Sequence, residues 1–321
     1  MNRCVSATGA AALLILAATA GAQPFPSRTV RMVVHFPPGG PTDLVGRALG
    51  QRLSEAWKQP VVIENRPGAG GVLGVETVLR APADGHTLLF GTSGSLALAP
   101  ALQKLPYNVF TDLAPITLAV INPQILVVHP SLPVKSVQDL IRLAKSRPGQ
   151  INYASVGPGS PNHMGMELLK AMTGIDMVHI PYKGTAPAMA DVIAGQVSLL
   201  FNSMPAVLPH VQSGRLRGIA VGSAKRSPAA PDIPTVAESG VPGFQYTTWY
   251  ALLAPAATPK DVIARINADA VKALNQPDMA QSLVSQGAEP APTTPEGLAK
   301  FMRDEFEGWR KVIKAAGIRL E

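Results

Sequence analysis

The residues able to do chemistry sit in short glycine-containing stretches, each following an apolar run. The first is HFPPGGPTD, His35 to Asp43. Gly39 and Gly40 open φ values closed to other residues, and the backbone N–H groups that follow fall at a helix start, where dipole and unpaired donors favour an anion. Asp43 lies in that first turn, where its charge opposes a bound anion; it is read as a cap that fixes the loop with its carboxylate turned away. GTSGS, Gly91 to Ser95, offers hydroxyls at Thr92 and Ser93. ASVGPGSPNHMG, Ala154 to Gly165, combines Gly157 and Gly159 with an N-cap at Ser160 and a first-turn Pro161. His163 in that turn is open between capping and ligand contact. IPYKGTAPAM, Ile180 to Met189, repeats the design with Lys183, Gly184 and a cap at Thr185; Lys183 is open between solvation and pairing with an anionic ligand. Phe201-Asn202-Ser203 adds short polar groups after another apolar run. Four such loops, two in each half of the chain, can converge on one cleft that holds a small anion.

Other chemistries lack their residues. RPGAGGVLG, Arg66 to Gly74, fails the dinucleotide fingerprint at Leu73 and lacks the Gly-Lys-Ser/Thr of a P-loop, so a close-packed turn is expected there. No G-x-S-x-G occurs, and the six histidines form neither an i,i+4 pair nor HExxH. Paired carboxylates beside glycines are missing, which disfavours glycosidase chemistry. The single cysteine, Cys4, excludes a disulfide framework. A net charge of +7 leaves anionic partners open, but aromatics are only 5% and no basic run of five occurs, which argues against nucleic acid. No cofactor is expected.

Positioning these loops falls to alternating strands and helices. Residues 1–22 read as a signal peptide: Arg3, an apolar stretch well short of the ~20 residues a membrane span needs, and Ala20-Gly21-Ala22 before the cut. Export to the periplasm with cleavage after Ala22 follows. Strands are expected at Val30–His35, Val61–Glu64, Thr87–Phe90, Ile116–Val120, Ile125–Val128, Ile151–Ala154, Met177–Ile180, Val197–Phe201, Leu216–Val221 and Thr247–Leu253. Helices are expected over Asp43–Trp57, Val72–Leu79, Ser136–Lys145 behind a capping box at Ser136 and Asp139, from Pro161, from Ala186, after the Thr258-Pro259 cap to Leu274, and from Pro295 behind Thr294. The alternation argues for parallel sheets covered by helices, too many strands for one sheet, and hence two α/β lobes. The crossovers fall near Ile121–Gln124 and Tyr246–Ala251.

Several longer stretches resemble the Bug, or TctC, family, the solute-binding receptors of tripartite tricarboxylate transporters. They include PFPSRTVRMVVHFPPGGPTDLVGRAL, QPVVIENRPGAGGVLG, APADGHTLLFGTSG, MVHIPYKGTAPAM, SAKRSPAAPDIPTVAESGVPGF and WYALLAPAATP, running in order from about Pro24 to about Ala316. The resemblance implies a type II periplasmic-binding-protein fold, a flytrap with a mostly parallel sheet in each lobe. Lobe 1 would comprise 23–122 and 248–321, and lobe 2 would comprise 123–247. It implies a cleft lined by Phe36, Gly39, Gly40, Thr42, Asp43, Thr92, Ser93, Ser155, Gly157, Ser160, His163, Tyr182, Lys183, Gly184 and Asn202, bordered by Trp249. It also implies a monomer that gives a small di-, tri- or aromatic carboxylate to membrane subunits of the transporter. Presentation of the ligand to a sensor kinase is the alternative, and a periplasmic enzyme would need a nucleophile–base pair or a metal. Asn202 stands where the family commonly has Asp, which favours a plain carboxylic acid over an amino acid. Val34-His35 replaces the usual Val-Pro or Val-Ala.

Overall fold

The computed structural model describes residues 25–285 and 287–316; the expected signal peptide, 1–22, lies outside the described residues. The first third of the fold winds β1 (Val30–Val34), α1 (Pro41–Trp57), β2 (Val61–Asn65), α2 (Val72–Leu79) and β3 (Thr87–Thr92), with β1 parallel to both β2 and β3. A π-helical turn at Gly94–Leu98 and the short α3 (Ala99–Leu102) lead into β4 (Leu113–Val128). Then come α4 (Val137–Ser146), β5 (Asn152–Ser155), α5 (Pro161–Thr173), β6 (Val178–Pro181), α6 (Thr185–Ile193), β7 (Leu199–Ser203), α7 (Met204–Gln212) and β8 (Arg217–Val221). The chain returns through β9 (Thr247–Pro255), α8 (Lys260–Leu274), α9 (Pro277–Ser285), β10 (Glu289–Pro290) and α10 (Pro295–Ala316).

The strands follow the order β2-β1-β3-β9-β4-β7-β5-β6, with β10 and β8 also on β4. The α/β class expected from the alternation is present, but the strands were not too many for one sheet: the ten described strands form a single sheet, and it is mixed. Its outer strands are parallel, whereas β9 runs antiparallel to β3 and β4, and β4 antiparallel to β7 and β8. The expected break at Asn122-Pro123 is no break: β4 passes straight through it. From Leu113 to Pro123 it pairs with β9, and from Gln124 onward with β7 and β8. Proline cannot donate to a ladder, so it suits a point where the partner changes. The exchange is fixed by buried polar groups: Gln124 Nε2 donates to Thr248 Oγ1 (3.0 Å), and the Gly222 and Tyr246 amides donate to the Gln124 and Gly222 carbonyls, both at 2.7 Å. The strand order therefore has two wings, β2-β1-β3 and β7-β5-β6, joined by β4 and β9.

The expected caps at Ser136, Ser160 and Thr294 are present. Ser136 Oγ accepts from the Asp139 amide (3.1 Å) while Asp139 Oδ2 accepts from the Lys135 amide (3.0 Å), and Thr294 Oγ1 accepts from the Gly297 amide (3.1 Å). Two expected caps are corrected. At α6 the N-cap is Gly184, with Thr185 already the first helical residue; at α8 the N-cap is Pro259, and the Thr258 hydroxyl has no partner. Helices α7 and α9 escaped the sequence reading because prolines at 205, 209 and 277 mask them. One buried apolar layer continues under α10 from Leu89, Leu96 and Trp249 to Tyr153, Met166 and Phe201, with Leu298, Met302 and Trp309 supplied by α10 itself. Separate cores lie beneath α1 and α8 (Leu49, Leu53, Phe90, Ile266) and beneath α6 and α7 (Val127, Val192, Leu200, Val207).

Candidate functional site

Between the wings lies a cavity of about 610 Å3. Phe36–Thr42, Thr92 and Ser93 form one wall; Val156, Pro161, Asn162, Gly184, Thr185, Asn202 and Ser203 form the other, with Thr248 and Tyr250 from β9 at its floor. Four α-helices begin on this surface: α1 after Gly40, α5 after Ser160, α6 after Gly184 and α7 after Ser203. At α1, α6 and α7 no side chain caps the first turn, so amide donors there are left for something else to meet. None of the lining residues is charged. Helix N-termini without competing cations or carboxylates suit a small anion held by backbone donors. A hollow of about 660 Å3 along α1 and β2, walled by Arg47, Ser54, Glu55 and Val62, includes no helix start.

The loop before α1 is built by Asp43. Its side chain is buried and accepts from the Gly39 amide (2.9 Å), Arg47 Nε (2.8 Å) and Asn65 Nδ2 (2.9 Å). Burial opposes its charge, but these bonds outweigh burial and hold the carboxyl below its ordinary pKa. It is thus the loop clamp expected from the sequence and does not line the cavity. Gly39 has φ 82°, a left-handed backbone that favours glycine; Gly40 does not, with φ −81°, which corrects the expectation for that position. Behind the loop, His35 is buried with Nε2 3.3 Å from Thr92 Oγ1, and burial alone lowers its pKa to about 4. A Cβ at Gly71 or Gly74 would come within 2.5 or 2.4 Å of the His35 side chain. The Arg66–Gly74 stretch is therefore the close-packed turn that was expected.

On the opposite wall, Asn202 Oδ1 accepts from the Ser203 amide (2.7 Å), while its buried Nδ2 has no partner. Asn162 Nδ2 donates to the Phe201 carbonyl (2.8 Å), and the Tyr246 hydroxyl donates to the Pro161 carbonyl (2.6 Å), so the first turn of α5 is anchored from two sides.

Of the expected residues, Phe36, Gly39, Gly40, Thr42, Thr92, Ser93, Gly184 and Asn202 come together on the cavity. Ser155, Gly157, Ser160 and His163 shape the loop beneath Val156 and Pro161 without lining it. Tyr182 turns to Asp191, its hydroxyl donating at 2.7 Å, and Lys183 is exposed away from the lining. Trp249 is corrected by one strand position. Successive residues of β9 face opposite sides, so Trp249 packs edge-on to Phe301 and donates to Glu305 (3.1 Å), whereas Tyr250 reaches the cavity and shares a hydrogen bond with Thr42. Pro37, Pro38, Pro41, Val156, Pro161 and Asn162, inside the loops 36–43 and 155–163 expected to line the cleft, line it as well; Thr185, Ser203 and Thr248 were missed as lining residues. Most of them neighbour residues that were named, and glycine spacing could have widened each loop to include them.

A serine–histidine contact was missed as well: Ser155 Oγ lies 2.5 Å from His179 Nε2. Ser155 is fully buried, accepts from the Gly157 amide (2.9 Å) and is off the cavity surface, so the pair serves the loop. Among the described residues, no group of three or more His, Cys, Asp or Glu is placed to hold a metal ion.

Comparison with known proteins agrees with this architecture. Residues 45–318 match the model of the TctC family, the tripartite tricarboxylate transporter family receptor, and the chain belongs to that family. Protein BugT of Bordetella pertussis (strain Tohama I) is 39% identical over 308 residues, covering 95% of this chain and 94% of BugT. Among solved structures, Rhodopseudomonas palustris MatC with bound malate superposes with a TM-score of 0.78 at 34% identity, over 90% of this chain and 100% of MatC. R. palustris Rpa4515 with adipate gives 0.83 at 38% identity, over 92% and 99% of the two chains.

Proposed function

We propose that this protein is a periplasmic receptor that captures a small di-, tri- or aromatic carboxylate between two lobes and delivers it to the membrane subunits of a tripartite tricarboxylate transporter. The observation that carries the reading is the uncharged cavity ringed by four helix N-termini. A carboxylate there exchanges water for backbone N–H donors that are already oriented, and it needs no counter-ion. The lobes are 23–122 with 248–321, and 123–247; the partner exchange in β4 at Pro123–Gln124 supports that division. The ligands of Rpa4515 and MatC, adipate and malate, support a carboxylic acid, and the description of BugD, 34% identical, as a periplasmic binding protein supports the compartment; the small residues Ala20-Gly21-Ala22 support a signal peptide cut after Ala22. Asn202, offering Nδ2 as a donor, supports a ligand without an ammonium group.

A thermal-shift screen against C3–C8 dicarboxylates, hydroxy acids, citrate and benzoates tests the reading. An acid at a hundredfold excess over its Kd stabilises the native state by about 2.7 kcal/mol, a shift of several degrees for a chain of this size. The same acid must be recovered chemically unchanged. Gly40→Val adds a side chain on the cavity wall where the nearest atom to a Cβ is 3.8 Å away and φ is unstrained, so it should remove the shift, while the poorer N-cap lowers the Tm of the free protein by no more than a few degrees. No shift with any acid, or an equal shift in Gly40→Val, contradicts the assignment.

A further inference from the structure

The loop between β5 and α5 carries Val156 and Pro161 to the cavity, yet its own shape is set by a side chain that is off the cavity surface. His163 Nδ1 accepts from the Gly159 amide (3.2 Å), while the His163 amide donates back to Ser160 Oγ (3.4 Å) and Ser160 Oγ donates to the Gly157 carbonyl (2.6 Å). A histidine ring can receive that Gly159 proton only through an unprotonated Nδ1, which places its own proton on Nε2. Nε2 lies 3.9 Å from Glu167 Oε1, consistent with that tautomer. A protonated imidazole has no acceptor left. It would turn an N–H toward the Gly159 N–H and open the turn that delivers α5 to the cavity.

We infer that His163 is a positioning residue for the ligand site, a neutral Nδ1 acceptor that clips the Gly159 amide, and that its protonation releases the clip and weakens ligand capture. The inference rests on the receptor reading above for its ligand arm, and on the loop geometry alone for the rest. The ring is packed among every group that could bias it. Tyr153 stacks at 6.4 Å from β5, His179 lies at 4.2 Å from β6, and Glu167 and Lys170 flank it on α5. Glu167 is itself tied to the Tyr153 hydroxyl (2.6 Å) and to Lys170 Nζ (2.7 Å), so its charge is largely spent on them. Burial first, and then the neighbouring His179, lower the His163 pKa from 6.5 to about 4. The folded protein therefore refuses a proton that the unfolded chain accepts. This group's contribution to stability is complete above pH 6.5, declines as pH falls toward about 4 and levels off below. Direct attraction between an imidazolium and a bound anion would strengthen binding on acidification. The clip predicts the opposite sign.

The test uses the full mature chain and three variants. In H163N the amide oxygen falls where Nδ1 stood; in H163Q it falls near Nε2; H163A has neither. Without any ligand, amide exchange followed by NMR should show Gly159 protected at pH 7 in wild type and in H163N, and unprotected in H163Q and H163A. Between pH 7 and pH 4 that protection should fall in wild type alone. With adipate as probe, H163A should bind about threefold to tenfold more weakly than wild type at pH 7, the scale of one lost hydrogen bond. H163N should restore most of that loss. The ratio of wild-type to H163N affinity should fall on acidification, a comparison that cancels the titration of adipate itself. Equal behaviour of H163N and H163Q, or Gly159 protection that does not change as His163 titrates, overturns the inference. If adipate fails to bind wild-type protein, the receptor reading loses that ligand, and the exchange arm alone decides whether His163 is the clip.

Discussion

Asn202 presents an unpartnered Nδ2 donor in the cavity wall. Its oxygen is already committed to the Ser203 amide, which leaves a donor rather than an acceptor beside the starts of α5, α6 and α7. Asn202→Asp would keep the Ser203 hydrogen bond and place a negative charge on the same wall. Like charges brought together cost several kcal/mol, so affinity for a carboxylate should fall by at least about tenfold, and calorimetric titration of both proteins with the same acid would measure it. Unchanged affinity would mean that the anion sits elsewhere. Residues whose role is set by their neighbours in sequence, such as Asp43 closing onto Gly39 and Ser160 onto His163, could be read from the chain. Residues whose role is set across the sheet could not, and the choice between Trp249 and Tyr250 turned on which face of β9 meets α10. His35 is the clearest case of a residue explained only by tertiary contact, since Gly71 and Gly74 make sense once its ring is seen against them.

Among the elements, α2 and α10 give contrasting predictions for glycine. In α2, Gly74→Ala puts a methyl 2.4 Å from His35 Cβ and 3.0 Å from its Cα, and overpacking of this kind costs about 1–3 kcal/mol. In α10, a Cβ at Gly308 would meet nothing within 4 Å, so Gly308→Ala should stabilise by up to about 1 kcal/mol through helix propensity. Denaturant unfolding of the two variants should move in opposite directions, and a shared direction would contradict the packing described for α2. Most helices and outer strands were legible because amphipathic spacing and caps are local. The antiparallel pairing of β4 and β9 was not. An apolar run reads the same whichever neighbour it meets, and only the return of the chain at Thr247 determines that β9 lies between β3 and β4.

Two strands and a long helix are shared between the wings among the described residues. β4 and β9 cross from one to the other, and α10 packs against both, with Trp309 edge-on to Tyr246 at 5.6 Å and Tyr246 in turn bonded to Pro161 on the cavity. A closing motion of the wings about β4 and β9 would bring the start of α1 toward the starts of α5, α6 and α7, which is how an anion could be held from both sides. In the proposed complex, backbone donors at those helix starts hold a carboxylate group as such. Titration calorimetry of the wild-type protein with adipate and malate, each against its neutral diamide of nearly the same shape, measures how much the charge contributes. At least one acid should bind, and its diamide should bind at least a hundredfold more weakly, since the amide loses the charge and presents N–H groups to N–H donors. Equal affinity for an acid and its diamide would contradict a carboxylate held in this way.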